Sequence, residues 1–260
     1  MFAQLTELFK YREAARLLTL RELQVRYSNS LLGVVWSFFH PLLMTLFFTL
    51  AFTALNPSPV ANYPIFFLAG LLPWNFFNPS VVGATHSITT NTHLINRVYF
   101  PRELLPLSVV AANGLNFLIA LLPLCLLMLF FRVPLTSALG WLPVVAAVQF
   151  IFSLGLGLAL AALNVLFRDT QQIVEALMLP WFFLTPIVYT LPEHINPVIR
   201  QLSLILNPMA SLVTHYRQII YSGATPDLNL LGITTVEALI ALGVGALLFR
   251  RLSPHFVDEL

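Results

Sequence analysis

Charge is what this 260-residue chain has least of: Asp, Glu, Lys and Arg together make up 9% of it, where soluble domains carry about 25%. Too few polar groups remain to cover a water-soluble globule, which excludes a soluble enzyme, a disordered chain and a fibrous repeat. Cysteine occurs once, at Cys125, so neither an internal disulfide nor a cysteine-based metal cluster is possible. Lysine also occurs once, at Lys10 between Phe9 and Tyr11. A phosphate-cradling Gly-x-x-x-x-Gly-Lys-Ser/Thr loop is therefore absent, and with it that route to ATP hydrolysis. His-Glu-x-x-His and Gly-x-Ser-x-Gly are missing too, as are paired carboxylates spaced for acid–base work. The net charge of +2 is too small to suggest a nucleic-acid partner.

What the chain does have is apolar surface: 58% of its residues are hydrophobic and its mean hydropathy is +0.84. Crossing about 30 Å of hydrocarbon takes about 20 largely apolar residues in a helix. The runs of suitable length predict an all-α integral membrane protein with six transmembrane helices, at about 31–55, 63–88, 104–131, 141–167, 171–191 and 228–249. The fifth is short and carries Pro180 and Pro186, so a kink is expected there. The runs are continuous rather than alternating, unlike the strands of a membrane β-barrel. Ten of the thirteen basic residues fall on one side of these spans: Lys10, Arg12, Arg16, Arg21, Arg26, Arg97, Arg102, Arg168, Arg250 and Arg251. Arg132, Arg200 and Arg217 fall on the other. The positive-inside bias then places both termini in the cytoplasm.

Residues 1–28 are charged and contain no continuous apolar stretch, so no cleavable leader is expected. Phe2, Leu5 and Phe9, and again Leu20, Leu23 and Tyr27, recur at helical spacing on one face interrupted by Arg12 and Arg16. This is an amphipathic helix, either lying on anionic lipid or docking a cytoplasmic partner. The loop from His93 to Glu103 sets Leu94, Ile95, Tyr99 and Phe100 among Arg97 and Arg102, the composition of an interface anchor. On the opposite side, residues 192–221 form short apolar runs divided by prolines, which fits re-entrant helices sheltered by protein.

Ionisable groups inside the spans are few. His40 precedes Pro41 and reads as a neutral histidine bonded to a backbone carbonyl; Glu237 reads as a paired or protonated carboxylate. No chain of such groups exists, which disfavours proton-coupled transport. Aromatics make up 13% and cluster beside prolines, at Trp74, Phe76 and Phe77 and at Trp181, Phe182, Phe183 and Tyr189. Packing accounts for single members of these clusters. As a set their flat faces suit the C–H faces of sugar rings, with Asn75 and Asn78 able to bond hydroxyls.

The order and spacing of several motifs resemble the permease subunits of ABC exporters of the polysaccharide, O-antigen and teichoic-acid family. They are Arg21-Glu22-Leu23-Gln24-Val25-Arg26-Tyr27, Leu31-Leu32-Gly33-Val34-Val35-Trp36-Ser37, His40-Pro41-Leu42 and Leu68-Ala69-Gly70-Leu71-Leu72-Pro73-Trp74-Asn75-Phe76-Phe77. Further along come Arg97-Val98-Tyr99-Phe100-Pro101-Arg102-Glu103, Asn164-Val165-Leu166-Phe167-Arg168-Asp169, Phe183-Leu184-Thr185-Pro186-Ile187-Val188-Tyr189 and Asn207-Pro208.

The resemblance implies a homodimer in the bacterial plasma membrane (the inner one where there are two), paired with two copies of a separate cytoplasmic ATPase that binds ATP and magnesium. It implies a lipid-linked glycan as substrate. It makes residues 1–28 an interface helix, about 92–102 a coupling helix, and Arg16, Arg21, Arg26, Leu94, Ile95, Arg97, Tyr99 and Arg102 the ATPase-facing set. Trp36, Phe39, Tyr63, Trp74, Phe77, Trp181, Phe182 and Tyr189 become the aromatic lining of the substrate path. A permease for teichoic acid, drugs or lipids shares this plan. A membrane glycosyltransferase or ligase is the more distant alternative, with only Arg200 and Arg217 to serve it.

Overall fold

A computed structural model describes residues 11–28, 33–55, 60–95, 100–190 and 196–256, and the described residues contain helices and no strand. In chain order the helices are α1 (Arg12–Tyr27), α2 (Trp36–Leu55), α3 (Tyr63–His86), the single turn α4 (Thr92–Ile95) and α5 (Leu104–Phe130). They continue with α6 (Leu142–Leu166), α7 (Asp169–Leu184), α8 (Pro197–Leu206), α9 (Pro208–Ile220) and α10 (Leu228–Leu252). Helices close their own backbone hydrogen bonds, the requirement that lipid imposes on a spanning chain.

Among the described residues, four stretches are long and apolar enough to cross a membrane: Tyr63–His86, Leu104–Phe130, Ser137–Leu166 and Leu228–His255. Of the expected first span, residues 31–32 lie outside the described residues and α2 has 20 residues from Trp36. The expected fifth span is shorter, since α7 has 16 residues. The helix expected over 171–191 begins at Asp169 and stops at Leu184, because Pro186 ends it instead of kinking it. Proline disfavours helical backbone in the residue before it, and Thr185 is extended at φ −92° and ψ 128°. Of the coupling segment expected over 92–102, the single turn α4 is seen, preceded by a 3-10 turn (Thr89–Asn91), while 96–99 lie outside the described residues.

Helix α3 is the hub, packed by α2, α5, α6, α7 and α9. Ile65, Phe67, Leu68, Phe77, Val81 and Ala84 are all buried, so apolar residues run all round it without a polar face. A second small cluster closes one end of the bundle, where Ile88, Leu105, Leu158, Ala161, Phe249 and Phe256 meet Leu18, Ile95 and Phe100. Helix α1 lies along α5 at that end. Its half-buried residues include Ala14, Ala15 and Leu18, while Leu17, Leu20 and Val25 face outward. Of the apolar face expected through Leu20, Leu23 and Tyr27, Leu23 is half-buried on that side and Leu20 is exposed, while the side chain of Tyr27, like Phe2, Leu5 and Phe9, lies outside the described residues.

Helices α6 and α10 touch backbone to backbone. A Cβ at Gly155 would collide with the main chain of Ala241 and Leu242, and one at Gly245 with the main chain of Gly155. Gly243, two residues away, has open space. Gly245→Val is expected to force the helices apart at a cost of about 1–3 kcal/mol and to lower the thermal midpoint. Gly243→Ala should match or exceed the parent, since alanine is the better helix former by up to about 1 kcal/mol. Thermal unfolding of both in detergent tests this; equal midpoints would refute the close approach.

Candidate functional site

The break after α7 leaves a stretch of non-helical chain whose carbonyls need donors from outside the helix. Every carbonyl from Phe183 to Tyr189 has one. The Tyr189 hydroxyl donates to the Phe183 carbonyl at 2.8 Å, Asn207 Nδ2 to that of Leu184 at 3.5 Å, and the Ile187 amide to that of Thr185 at 2.7 Å. Arg217 donates through Nη1 to the Pro186 carbonyl and through Nη2 to that of Ile187. The Tyr63 hydroxyl serves Val188 at 3.0 Å, and Arg217 Nη1 also reaches Tyr189 at 3.4 Å. An unpaired buried carbonyl is costly, and the five donors of a planar guanidinium fork let one side chain serve three of these and the Phe66 carbonyl together.

Arg217 sits on α9, and its Nε donates to the Phe66 carbonyl of α3 at 3.3 Å. Its guanidinium carbon lies 3.6 Å from the centre of the Phe66 ring, a cation–π contact. Gly70 makes the space: a Cβ there would stand 3.0 Å from Arg217 Nη2 and 3.4 Å from the Ile187 carbonyl oxygen. Asn207 secures the same junction. Its side chain caps α9 by accepting from the Ala210 amide at 3.4 Å and accepts from Trp181 Nε1 at 2.9 Å. Its Nδ2 donates to Thr185 Oγ1 at 3.2 Å. Sequence reasoning placed Arg217 among the external basic residues. The signal that identifies it is the proline at 186, which stops a helix within an apolar segment and leaves carbonyls in search of a cation.

The eight aromatics expected along the substrate path fall into three groups. Tyr63, Trp74 and Phe77 are interior. Phe77 lies 5.1 Å from Trp181 edge-to-face and 5.7 Å from Phe152 stacked. Trp74 meets Phe182 at 5.5 Å. These contacts dock the end of α7 on α3 and α6, because rings of this size gain most when buried on both faces. Trp181, Phe182 and Tyr189 are half-buried. Trp36 and Phe39 are exposed at 45% and 43% and pack edge-to-face at 5.7 Å.

The charged set at the α1 end is also divided. Arg16 is exposed and 3.8 Å from Glu13, an exposed pair worth little. Arg21 Nη1 donates to Asn91 Oδ1 at 3.0 Å. Arg102 donates to the Ser253 carbonyl and stands 5.8 Å from the Phe256 ring, so it fastens the loop to the C-terminal segment. Leu94 is half-buried, and Ile95 packs on the small end cluster. Arg97 and Tyr99, and the side chain of Arg26, lie outside the described residues. Glu237 Oε2 is buried without a hydrogen-bond partner among the described residues. No group of three His, Cys, Asp or Glu comes together among them.

The ABC-2 type transporter family matches residues 13–221. The chain is 38% identical to the O-antigen export system permease protein RfbA of Myxococcus xanthus, with 100% of each chain covered. It is 31% identical to the O-antigen export system permease protein RfbA of Klebsiella pneumoniae, covering 94% of this chain and 93% of that one. Similarity to the polysialic acid transport protein KpsM of Escherichia coli is 26% identity over 90% and 91% of the two chains.

Arg217→Lys keeps the charge but loses the planar fork, and the three donors of an ammonium cannot cover the four carbonyls that Arg217 serves. Each charged hydrogen bond contributes about 1.5–3 kcal/mol. The variant is expected to unfold several degrees lower and to expose the amides of 185–189 to hydrogen exchange. Arg200→Lys, on the exposed face of α8, should change neither. Matching exchange in both variants would refute the clamp.

Proposed function

The chain belongs to the ABC-2 type transporter family, and we propose that it is the membrane-spanning permease subunit of an ATP-driven exporter of lipid-linked polysaccharide, such as O-antigen or capsular glycan. The observation that carries this reading is identity of 38% with an O-antigen export permease from end to end of both chains. Energy comes from a separate ATPase subunit, where ATP and magnesium bind. This chain converts closure of that subunit into movement of helices.

In this reading α2 and α7 complete six spans with the four long helices, both termini are cytoplasmic, and the membrane is the bacterial plasma membrane. Two copies associate. They meet through the outward apolar rows of α2 (Leu46, Phe47, Leu50) and α7 (Ile173, Leu177, Leu184). Helices α8 and α9 re-enter the membrane from outside. The burial of Leu212, Val213 and Tyr216 on α9 supports this over an interfacial cap. The glycan passes Trp36, Phe39, Trp181, Phe182 and Tyr189, and the interior Tyr63, Trp74 and Phe77 brace that wall from behind.

The ATPase docks on the outward face of α1, where Leu17, Leu20 and Val25 stand among Arg16 and Arg21, with Arg26 further along the same segment, and on the loop through Leu94, Ile95, Arg97, Tyr99 and Arg102. Apolar anchors rimmed by arginine suit such an interface. Arg97→Ala with Tyr99→Ala is expected to cut surface polysaccharide at least tenfold while the complex still hydrolyses ATP, as measured in a host lacking its own exporter. Leu17→Glu should cut the ATPase recovered with the tagged permease at least tenfold. Full export by the Arg97/Tyr99 variant, or full recovery with Leu17→Glu, overturns the respective docking assignment.

A further inference from the structure

Beyond His86 the chain keeps helical backbone instead of turning away from α3. Ser87, Ile88 and Thr92 all lie in the right-handed region, and no Gly or Pro occurs between Gly83 and Ile95. The carbonyls at the end of α3 are served by the side chains that follow. Ser87 Oγ donates to the Ala84 carbonyl at 2.7 Å, and Thr89 and Thr90 donate to that of His86 at 3.0 and 2.9 Å. Asn91 Nδ2 donates to the Ser87 carbonyl at 2.9 Å. Open carbonyls are what a helix end otherwise leaves to water. With these served, α3, the 3-10 turn and α4 make one stiff rod from the hub to the loop that carries Arg97 and Tyr99.

Helix α1 grips that rod at two points. Leu18 packs on the end cluster that contains Ile88. Arg21 Nη1 donates to Asn91 Oδ1 at 3.0 Å. Leu18 and Arg21 stand three residues apart and so share a side of α1. Asn91 is 7% exposed, and with its Nδ2 committed to the Ser87 carbonyl its oxygen is presented to α1 in a fixed direction. A hydrogen bond from a guanidinium is stronger and more directional than a neutral one, which suits a contact that carries force. Arg21 is itself exposed, at the edge of the outward face of α1, yet its guanidinium turns to Asn91. Arg16 differs, since it pairs with Glu13 of its own helix.

We infer that Arg21 is a positioning residue for transport: through Asn91 it makes α1 and the α3–α4 rod move as one body. Displacement of α1 then reaches the hub α3 directly, and not only by way of α5, on which α1 lies. The inference rests on the exporter reading, which supplies the ATPase and its stroke. It separates two roles on one helix: Leu17 holds the ATPase, and Arg21 passes on what the ATPase does.

The test measures hydrogen exchange in the permease–ATPase complex in lipid nanodiscs, nucleotide-free and trapped with ADP and vanadate. Arg21→Met keeps an exposed stem of similar length and removes the donors, so it serves even where Asn91→Leu, which removes the acceptor, fails to fold. Trapping is expected to change exchange of the amides of 84–95 at least threefold in the wild type. Each variant should shrink that response at least threefold while recovery of the ATPase with the tagged permease is unchanged. The double variant should lose no more than either single, as for two ends of one bond. Arg21→Lys, which keeps a donor, should retain the response. No response in the wild type, or an undiminished one in Arg21→Met, overturns the inference. Loss of the ATPase from Arg21→Met would make Arg21 a docking residue and overturns it too. So does faster nucleotide-free exchange with an intact response, which would make the bond merely structural. Polysaccharide export by the wild-type complex is followed in parallel. A response that depends on Arg21 without any export defeats the exporter reading alone, whereas export with a response indifferent to Arg21 defeats this inference alone.

Discussion

A chain that stops being helical inside an apolar bundle must find donors for its carbonyls, and here Arg217 alone serves three of them, those of Pro186, Ile187 and Tyr189. Its guanidinium joins three segments far apart in sequence: the broken end of α7 through Pro186, Ile187 and Tyr189, the hub α3 through Phe66, and its own helix α9. Other features follow from that contact. Gly70 leaves room for it, Tyr63 covers the carbonyl it does not reach, and Asn207 fixes the start of α9 against Trp181 and Thr185. Without such a cation Pro186 would leave unpaired carbonyls in the interior; with it, the proline becomes a corner from which the chain turns towards α8 and α9.

The long helices α5, α6 and α10 were legible in the sequence because their apolar runs exceed the length of a membrane span and no proline stops them. Pro123 sits within α5 without ending it, and Pro73 and Pro79 sit within α3. Pro186 differs only in what surrounds it, which a linear reading does not contain. The same limit explains Arg217. Side counting registers its charge, but its role depends on carbonyls 28 to 31 residues away. The composition of the aromatic clusters was legible and their division was not, since burial of Trp74 and Phe77 is decided by how α3 meets α6 and α7. For α1 the amphipathic character was readable, and of its expected apolar residues Leu23 is half-buried whereas Leu20 faces outward, a split that depends on how α1 meets α5.

The scarcity of charge takes on a different meaning once the side chains are placed. Two of the few cations hold backbone: Arg217 at the corner after α7 and Arg102 at the Ser253 carbonyl. Helix α1 has a half-buried side and an outward side carrying Leu17 and Leu20, and its Leu18 packs on the end cluster that α5, α6 and α10 share. Between α6 and α10 the contact of Gly155 with Gly245 leaves no side chain to absorb displacement. A chain with a rigid α6–α10 pair, a marginally covered α7 and no phosphate-binding loop is suited to being moved by another protein.

The central claim is that this chain conducts a lipid-linked polysaccharide only when driven by a separate ATPase. The most direct measurement reconstitutes both subunits in liposomes with the ATPase facing outward and the lipid-linked polymer in the outer leaflet, then follows protection of the polymer from an added glycosidase. Protection that requires ATP, the ATPase and this chain together is the predicted result. Protection that proceeds without ATP, or without the ATPase, would contradict the account.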